Sequence, residues 1–417
     1  MKRLLLICYY FPPLGGAGIN RPLALYKHLP AYGWQVDVLT VKPVTYRMYE
    51  PHLLDTIDTT HIYRAGSRDP QRLMWLLGMR RVKPAAIERA RPAAHRFFPD
   101  SKIGWLRPAA RLGRTLVANQ RYDAIVSTSP PITCHLVARQ LARETRLPWL
   151  ADFRDFWTGR KPADWFDNRN MVIRAEKLLA EINQQATARV TVNQIVARFL
   201  DTPHIIPNAV DTDFARHWQK PDPNHFVIGL LGTFNDMFPI APLLDALHHL
   251  RRNQPDLFQH VRLLHAGDID SNWMRPQLER AALADRMTSL GFVPRPETFT
   301  KLSAACVLYV ALAHQMDLGI TTARAYDMIA SGRPILACLP GEGELSRLLD
   351  TIPRAFICTP EQPSRAAAWL TEQIQRHQRA ELTTHLDPAE IAPYASPTLA
   401  ERFARLLDEL TGRGEAT

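Results

Sequence analysis

The amino-acid sequence predicts an α/β protein made of two doubly wound parallel-sheet domains. Its 417 residues exceed the ~250 to 300 residues at which single hydrophobic cores stop growing, so two domains are the simplest count. Short β-rich runs alternate with amphipathic helical segments in both halves, which is typical of a parallel sheet covered by helices on both faces. A polar, Pro-rich stretch, ARHWQKPDPNH, separates the two series.

The first domain is predicted for residues 1–220. Its strand-like runs are LLLIC, QVDVLTV, HIYRA, DAIVSTS, PWLADF, ARVTVN and HIIPN. Amphipathic stretches such as ITCHLVARQLARET separate several of these runs. Because doubly wound sheets bind ligands beyond the carboxyl ends of their strands, the residues directly after each run are the candidates for chemistry.

The second domain is predicted for residues 221–394 and repeats the alternation. Its strand-like runs are FVIGLLGTF, VRLLHAGD, MTSLGFV, CVLYVAL, RPILACLP and AFICT. Helical stretches lie between them, namely IAPLLDALHHLRR, PQLERAALAD, PETFTKLSAA, TARAYDMIASG and GELSRLLDT. The tail, residues 395–417, contains one more amphipathic helix with Ser396 as N-cap and Gly412 as stop, and we expect it to cross back to the N-terminal domain.

Cysteine usage and hydropathy indicate a cytoplasmic protein. The five cysteines are scattered without the spacing of a metal site or a disulfide framework. The opening MKRLLLICYYF has a short apolar run and no cleavage site before the prolines, so it predicts a buried strand rather than a signal peptide. No window approaches the ~18 continuous apolar residues of a membrane-spanning helix.

The formal charge of +10 is concentrated in residues 68–121, where thirteen Lys or Arg residues accompany only three acids. Aromatic and aliphatic side chains lie among them, as in segments that bind an anionic membrane surface. We therefore expect peripheral attachment to the inner face of the cytoplasmic membrane. A solvated helical face and a nucleic-acid surface are the alternatives, the latter without any recognised motif.

The stretch YYFPPLGGAGINRP connects the first strand to the first helix. Gly15, Gly16 and Gly18 leave backbone N–H groups unhindered at a positive helix terminus, which suits a phosphate or diphosphate. The stretch lacks both G-x-G-x-x-G and the Lys-Ser/Thr ending of a P-loop, so a dinucleotide and an ATPase are disfavoured. Close packing of strand against helix is the other use of such glycines.

An ordered set of segments resembles bacterial retaining glycosyltransferases of family 4. The opening FPPLGGAGINRPLALYKHLPAYGWQVDVLT, the central YDAIVSTSPPITCHLVARQLARETRLPWLADFRDFWTG and the turn HIIPNAVDTDFA resemble the N-terminal half of that family. LLGTFND, LHAGDID, LGFVPRPETFTKLSAACVLYVAL and RAYDMIASGRPILACLPGEGELSRLL resemble its donor-binding half. The resemblance implies the GT-B fold, in which two Rossmann-like domains face each other across a cleft.

The resemblance also implies donor-binding residues in the C-terminal domain. The family's donor motif carries two glutamates, and here Gly319 replaces the first while Asp327 stands at the second, which binds the donor ribose. Arg324 occupies the place of a Lys found in a subset of the family and is expected to neutralise diphosphate; a surface Arg–Asp pair at i, i+3 is the alternative. The other implied contacts are Gly232 and Thr233 for diphosphate, Gly291, Phe292 and Val293 for the base, and Thr322.

The segment ADFRDFW supplies the candidate residues on the acceptor side. Asp152, Arg154 and Asp155 follow the apolar run PWL at the expected carboxyl end of a strand. Arg154 is suited to an anionic group, and either carboxylate is suited to orient or deprotonate an acceptor hydroxyl. A structural ion-pair network is the alternative. His135 is a further candidate, either facing the cleft or as an ordinary helix residue.

These features predict a retaining glycosyltransferase that moves a sugar from a nucleotide-sugar donor to a cytoplasmic, lipid-linked acceptor in surface polysaccharide or glycolipid synthesis. Catalysis would be a same-face displacement assisted by the leaving diphosphate, with no cofactor and no metal. The acidic stretch Asp268–Asp270 resembles a family loop rather than a cation site. A non-catalytic nucleotide-sugar binder or partner subunit is the alternative, because of Gly319 and the absence of the family's Arg/Lys pair after Gly232.

Overall fold

The structure is a computed structural model of the whole chain. It describes residues 1–44, 49–69, 72, 97–157, 169–211, 218, 220–267, 269, 271–314, 319, 321–382 and 386–412. Residues 70, 71 and 73–96 of the basic segment 68–121, and both Asp268 and Asp270, lie outside the described residues. Contacts divide the chain into an N-terminal unit, residues 1–209 with 396–417, and a C-terminal unit, residues 210–395.

The N-terminal unit is built on a seven-stranded parallel sheet with strand order β3-β2-β1-β4-β5-β6-β7. The strands are β1 Lys2–Ile7, β2 Trp34–Val41, β3 Ile62–Ala65, β4 Ala124–Ser129, β5 Trp149–Phe153, β6 Ala188–Thr191 and β7 His204–Ile205. Each lies in one of the predicted β-rich runs. The order reverses between β1 and β4, which is the switch point where such sheets bind ligands.

Burial on both faces explains the continuous apolar runs of these strands. In β1, Leu5 and Ile7 join one hydrophobic cluster while Leu4 and Leu6 join another on the opposite face. This alternation is the two-residue period of a strand. Each of the four side chains is fully buried, and complete burial of a Leu or Ile stabilises the fold by about 1.5 to 3 kcal/mol.

Helices cover both faces of the sheet in the N-terminal unit. They are α1 Asn20–His28, α2 Leu106–Asn119, α3 Thr133–Thr145, α4 Arg169–Gln185 and the short α5 Gln194–Ala197. 3₁₀ turns lie at Ala17–Ile19, Leu29–Tyr32, Pro51–Thr56 and Ile103–Trp105.

The C-terminal unit repeats this architecture on a six-stranded parallel sheet of order β10-β9-β8-β11-β12-β13. Its strands are β8 Phe226–Leu231, β9 Val261–Ala266, β10 Met287–Ser289, β11 Val307–Ala311, β12 Ile335–Cys338 and β13 Ala355–Cys358. Its helices are α6 Ala241–Asn253, α7 Pro255–Phe258, α8 Ser271–Arg280, α9 Arg295–Lys301, α10 Ala323–Ala330, α11 Glu344–Asp350, α12 Pro363–Gln378 and α13 Pro388–Ile391. 3₁₀ turns lie at Ala284–Arg286 and Ala392–Tyr394. The order reverses between β8 and β11, so the predicted pair of doubly wound sheets is confirmed.

The last helix, α14 Ser396–Leu410, packs on the N-terminal unit after the chain has passed through the C-terminal unit. Phe403 of α14 is fully buried in the same cluster as Leu4 and Leu6 of β1. The Lys2 ammonium lies 2.5 Å from a carboxylate oxygen of Asp408. Among the described residues, no helix is both long enough and apolar enough to cross a membrane.

Candidate functional site

In the C-terminal unit, a glycine turn follows β8 at the switch point. Gly232 has φ +87°, a left-handed conformation that favours glycine. Its N–H donates to the carbonyl of Ala266 and its carbonyl contacts the ring Nε2 of His265, both at 2.8 Å. A Cβ on Gly267 would lie only 2.3 Å from the Gly232 oxygen. The ends of β8 and β9 therefore meet through two glycine backbones, and the turn leads directly to Thr233.

Arg324, in the first turn of α10, packs against this turn. Its Nη2 donates to the carbonyl of Thr233 at 3.0 Å, and its guanidinium carbon lies 4.5 Å from the ring centre of Phe238 and 5.7 Å from that of Phe234. Burial lowers the pKa of Arg324 to about 10, so the side chain remains charged at neutral pH. In the described part of the chain, no carboxylate lies within ion-pair distance of Arg324.

Two threonine hydroxyls lie beside Arg324 at the start of α10. The Oγ1 atoms of Thr321 and Thr322 are buried without a hydrogen-bond partner among the described residues. Thr322 is the N-cap residue and has extended backbone, but its side chain does not cap the helix. A guanidinium without a carboxylate, unpartnered hydroxyls and the positive end of a helix together form a site suited to an anion.

Gly319 and Asp327, which stand at the two acidic positions of the predicted donor motif, flank this region. Gly319 is buried, and Asp327 is half-buried one turn beyond Arg324 on α10. The ribose contact predicted for Asp327 stays a prediction.

In the C-terminal unit, an exposed aromatic ring lies just after strand β10. Gly291, with φ +66°, accepts a hydrogen bond at its carbonyl from the Gly267 N–H at 2.8 Å. Phe292 follows with 54% of its surface exposed, whereas Val293 is buried. Because every nucleobase has a flat π-face, an exposed ring at this edge is suited to stacking.

In the N-terminal unit, Asp152 at the end of β5 forms a buried ion pair. The side chain has no exposed surface, and both its oxygens accept from Nε of Arg21, at 3.1 and 3.0 Å. The Thr128 hydroxyl donates to Asp152 at 2.7 Å. Arg21 also donates to the carbonyls of Ile206 and Pro207, each at 2.9 Å. This is the structural ion-pair network that the sequence offered as an alternative to a role in acceptor binding. It connects α1 to β5 and to the end of β7.

Arg154 connects the loops at the switch point of the N-terminal unit. Its guanidinium donates to three backbone carbonyls, those of Gly18 at 2.7 Å, Ser129 at 2.9 Å and Pro130 at 3.2 Å. No carboxylate of the described residues is within ion-pair distance of this buried cation. Arg154 therefore holds the glycine turn in place and supplies a positive charge beneath it.

Asp155 and His135, the two remaining acceptor-side candidates, differ in access. Asp155 is exposed at the carboxyl edge of the sheet. His135 is fully buried in α3, with Nδ1 2.8 Å from the Ser127 hydroxyl and its ring centre 4.4 Å from that of Phe153. Burial, with a smaller contribution from Arg154, lowers the pKa of His135 to about 3. His135 is thus a neutral core histidine in this conformation.

The glycine turn after β1 is contacted by Glu50, a residue that no sequence motif indicated. The Gly16 N–H donates to Oε1 of Glu50 at 3.1 Å, and a Cβ on Gly15 would lie 2.1 Å from that oxygen. In this structure a carboxylate of the chain itself therefore occupies the Gly16 amide that we expected to bind phosphate. Neither Glu50 nor Arg21 lies in a motif that predicts its partner, because both pairings join segments distant in sequence.

Comparison with known proteins matches the N-terminal unit to one domain family. The family profile described as "Glycosyl transferase 4-like domain" matches residues 16–210. No curated protein sequence matches the chain. The predicted class, a glycosyltransferase, is therefore confirmed at the level of the N-terminal domain.

Solved structures match over nearly the whole chain. Sucrose-phosphate synthase from Thermosynechococcus elongatus aligns at 16% identity with a TM-score of 0.66, covering 98% of this chain and 99% of the other. Anabaena HepE in complex with UDP and glucose aligns at 15% identity, TM-score 0.61, with 98% and 99% coverage. An E. coli trehalose-6-phosphate structure bound with UDP-2-fluoro glucose aligns at 14% identity, TM-score 0.61, with 99% coverage of both. At these identities the likeness shows the fold, which is that of the GT-B glycosyltransferases.

Proposed function

We propose that the chain transfers a hexose from a UDP-sugar to a hydroxyl acceptor, with the donor bound by the C-terminal unit. The observation that carries the proposal is Arg324, a half-buried guanidinium beside the Gly232 turn that has no described carboxylate to neutralise it. A buried cation costs free energy unless an anion pairs with it. A diphosphate supplies that charge and matches the fork of guanidinium donors.

The choice of a UDP-sugar is supported by the similar structures. HepE was solved with UDP and glucose, and the E. coli protein with UDP-2-fluoro glucose. In this chain the exposed ring of Phe292 would stack on the uracil, and Asp327 would accept hydrogen bonds from the ribose hydroxyls. Thr233 and Thr322 would donate to the phosphate oxygens of the bound donor.

The proposed mechanism depends on positioning and charge stabilisation. As the bond from the anomeric carbon to the diphosphate breaks, negative charge develops on the leaving oxygen, and Arg324 with the positive end of α10 stabilises it. The leaving diphosphate takes the proton of the acceptor hydroxyl, and the acceptor oxygen bonds to the anomeric carbon on the face that the diphosphate leaves, which retains the anomeric configuration. The scheme uses no metal.

On the acceptor side, we propose that Asp155 orients the acceptor hydroxyl. It is the exposed carboxylate of its segment, whereas Asp152 is committed to Arg21. For a lipid-linked acceptor in surface polysaccharide or glycolipid synthesis, the exposed arginines of α2 would face an anionic membrane from the cytoplasmic side. Arg107 and Arg111 are exposed there, and Arg114 pairs with Glu144 at 2.8 Å.

A non-catalytic nucleotide-sugar binder is the second candidate, and Gly319 favours it because glycine offers no side chain to the sugar. The two candidates share the donor site and differ only in turnover. Donor binding therefore tests the site, and release of UDP in the presence of a lipid-linked acceptor fraction tests the reaction.

The experiment is calorimetric titration of UDP-glucose into the wild type, Arg324→Gln and Arg275→Gln. Loss of a charged hydrogen bond costs about 1.5 to 3 kcal/mol, so we expect Arg324→Gln to bind roughly 10- to 150-fold more weakly. Arg275 is the matched control, since it lies on the surface of α8 paired with Glu279. Equal affinity in the wild type and Arg324→Gln, or no binding by the wild type of any UDP-, GDP-, dTDP- or ADP-sugar, would contradict the proposal.

A further inference from the structure

The carboxylate of Glu50 lies directly on the glycine turn after β1. Its Oε1 accepts from the Gly16 N–H at 3.1 Å, and only 7% of its side chain is exposed. Gly15 allows this approach, because any Cβ there would collide with the same carboxylate oxygen. The absence of a side chain at Gly15 is thus explained by a contact within the protein.

The backbone holds Glu50 in this position. The Glu50 N–H donates to the carbonyl of Pro13 at 2.8 Å, and Tyr49 forms an antiparallel bridge with Leu14. The carbonyl of Glu50 accepts from the Leu53 N–H at 3.2 Å at the start of the 3₁₀ turn Pro51–Thr56. The segment before the carboxylate and the segment before the glycines are therefore paired to each other, so the contact follows from the local fold.

The charges around the glycine turn after β1 favour an anion at the Gly16 amide. Arg154 places its guanidinium on the Gly18 carbonyl and has no described carboxylate at ion-pair distance. The ring Nε2 of His52 lies 3.9 Å from Oε2 of Glu50. Glu50 thus supplies negative charge to a turn that combines the Gly16 amide with the buried cation of Arg154.

We propose that Glu50 determines the substrate specificity of this turn: by filling its anion position, the carboxylate excludes phosphate and leaves the turn to a hydroxyl-bearing, uncharged part of a substrate. The inference rests on the proposed function, since it assigns the donor diphosphate to the C-terminal unit alone. A phosphate at Gly16 would lose its amide donor to Glu50 and would meet a like charge within a few ångströms. A sugar hydroxyl can instead donate to the carboxylate.

Inorganic phosphate is the probe, and the Arg324→Gln chain is the reference because it lacks the donor-site cation. We expect Glu50→Ala in this background to bind phosphate at least about tenfold more tightly than the reference, since the amide is freed and a like charge is removed. Glu50→Gln should gain less, because its amide oxygen still accepts from Gly16. Asp55→Ala removes an exposed carboxylate from the same 3₁₀ turn and should leave phosphate affinity unchanged.

Circular dichroism melts identify any variant that fails to fold. If Glu50→Ala does not fold, Glu50→Gln tests the inference, because it keeps the hydrogen bond and should still show the smaller gain in phosphate affinity. If the reference binds phosphate as tightly as the Glu50→Ala chain, or if Asp55→Ala matches Glu50→Ala, the inference is overturned. In the otherwise wild-type chain, Glu50→Ala should keep UDP-glucose affinity within about threefold; a larger gain in affinity would put the diphosphate at the turn and overturn the inference. Failure of the wild type to bind any UDP-, GDP-, dTDP- or ADP-sugar refutes the proposed function alone, because the phosphate comparison does not use the donor.

Discussion

Asp152 and Asp155 lie three positions apart, yet the structure predicts opposite consequences for their loss. Asp152→Ala leaves Arg21 as a buried cation without its partner, and removing one member of a buried pair costs about 3 to 5 kcal/mol. Domains are commonly stable by only about 5 to 15 kcal/mol. With a urea m-value of about 2 kcal/mol/M, the unfolding midpoint of the N-terminal unit should fall by roughly 2 M.

The assay is urea unfolding followed by far-UV circular dichroism, with hydrogen exchange in peptides of β5 as the local readout. Asp155→Ala is the matched control: its side chain is exposed, so its free energy of unfolding should change by no more than about 0.5 kcal/mol, while acceptor-dependent release of UDP falls. The double variant Arg21→Met/Asp152→Leu should be more stable than the sum of the single changes by about 1 to 3 kcal/mol. An Asp152→Ala chain that unfolds like the wild type but loses turnover would refute the structural role.

Three further predictions concern single positions. The pKa of His135 is lowered from 6.5 to about 3, so the unfolded chain binds the extra proton first and stability is lost as pH falls from about 6.5 towards 3; His135→Leu should flatten that pH dependence in acid-unfolding curves. Gly267→Ala puts a Cβ 2.3 Å from a backbone oxygen and should lower both the melting temperature and UDP-glucose affinity, whereas Gly341→Ala, with open space around it, should not. Phe292→Ala should weaken UDP-glucose binding by about 1 to 3 kcal/mol through lost stacking, and an equal loss in the neighbouring Leu290→Ala would argue against a base contact.

The positions of the strands were predictable because they depend on local pattern. Strands buried on both faces need continuous apolar runs, and the chain supplies them for the central strands, whereas the edge strands β7 and β10 are shorter and partly exposed. Gly232, Thr233 and Arg324 come together at the end of β8 and the start of α10, and their role in donor binding stays a prediction. These residues meet because the carboxyl ends of parallel strands share one edge of a sheet.

What the sequence by itself determined is the α/β class, the positions of the strands and helices, and the edge of each sheet where polar residues gather. Only the tertiary structure decided which of those residues hold the fold together. Asp152 pairs with Arg21, and the Gly16 amide donates to Glu50. The reason is that a charged side chain takes its role from its nearest partner and its exposure. Those partners come from segments 131 and 34 residues away, and no local pattern encodes such a distance.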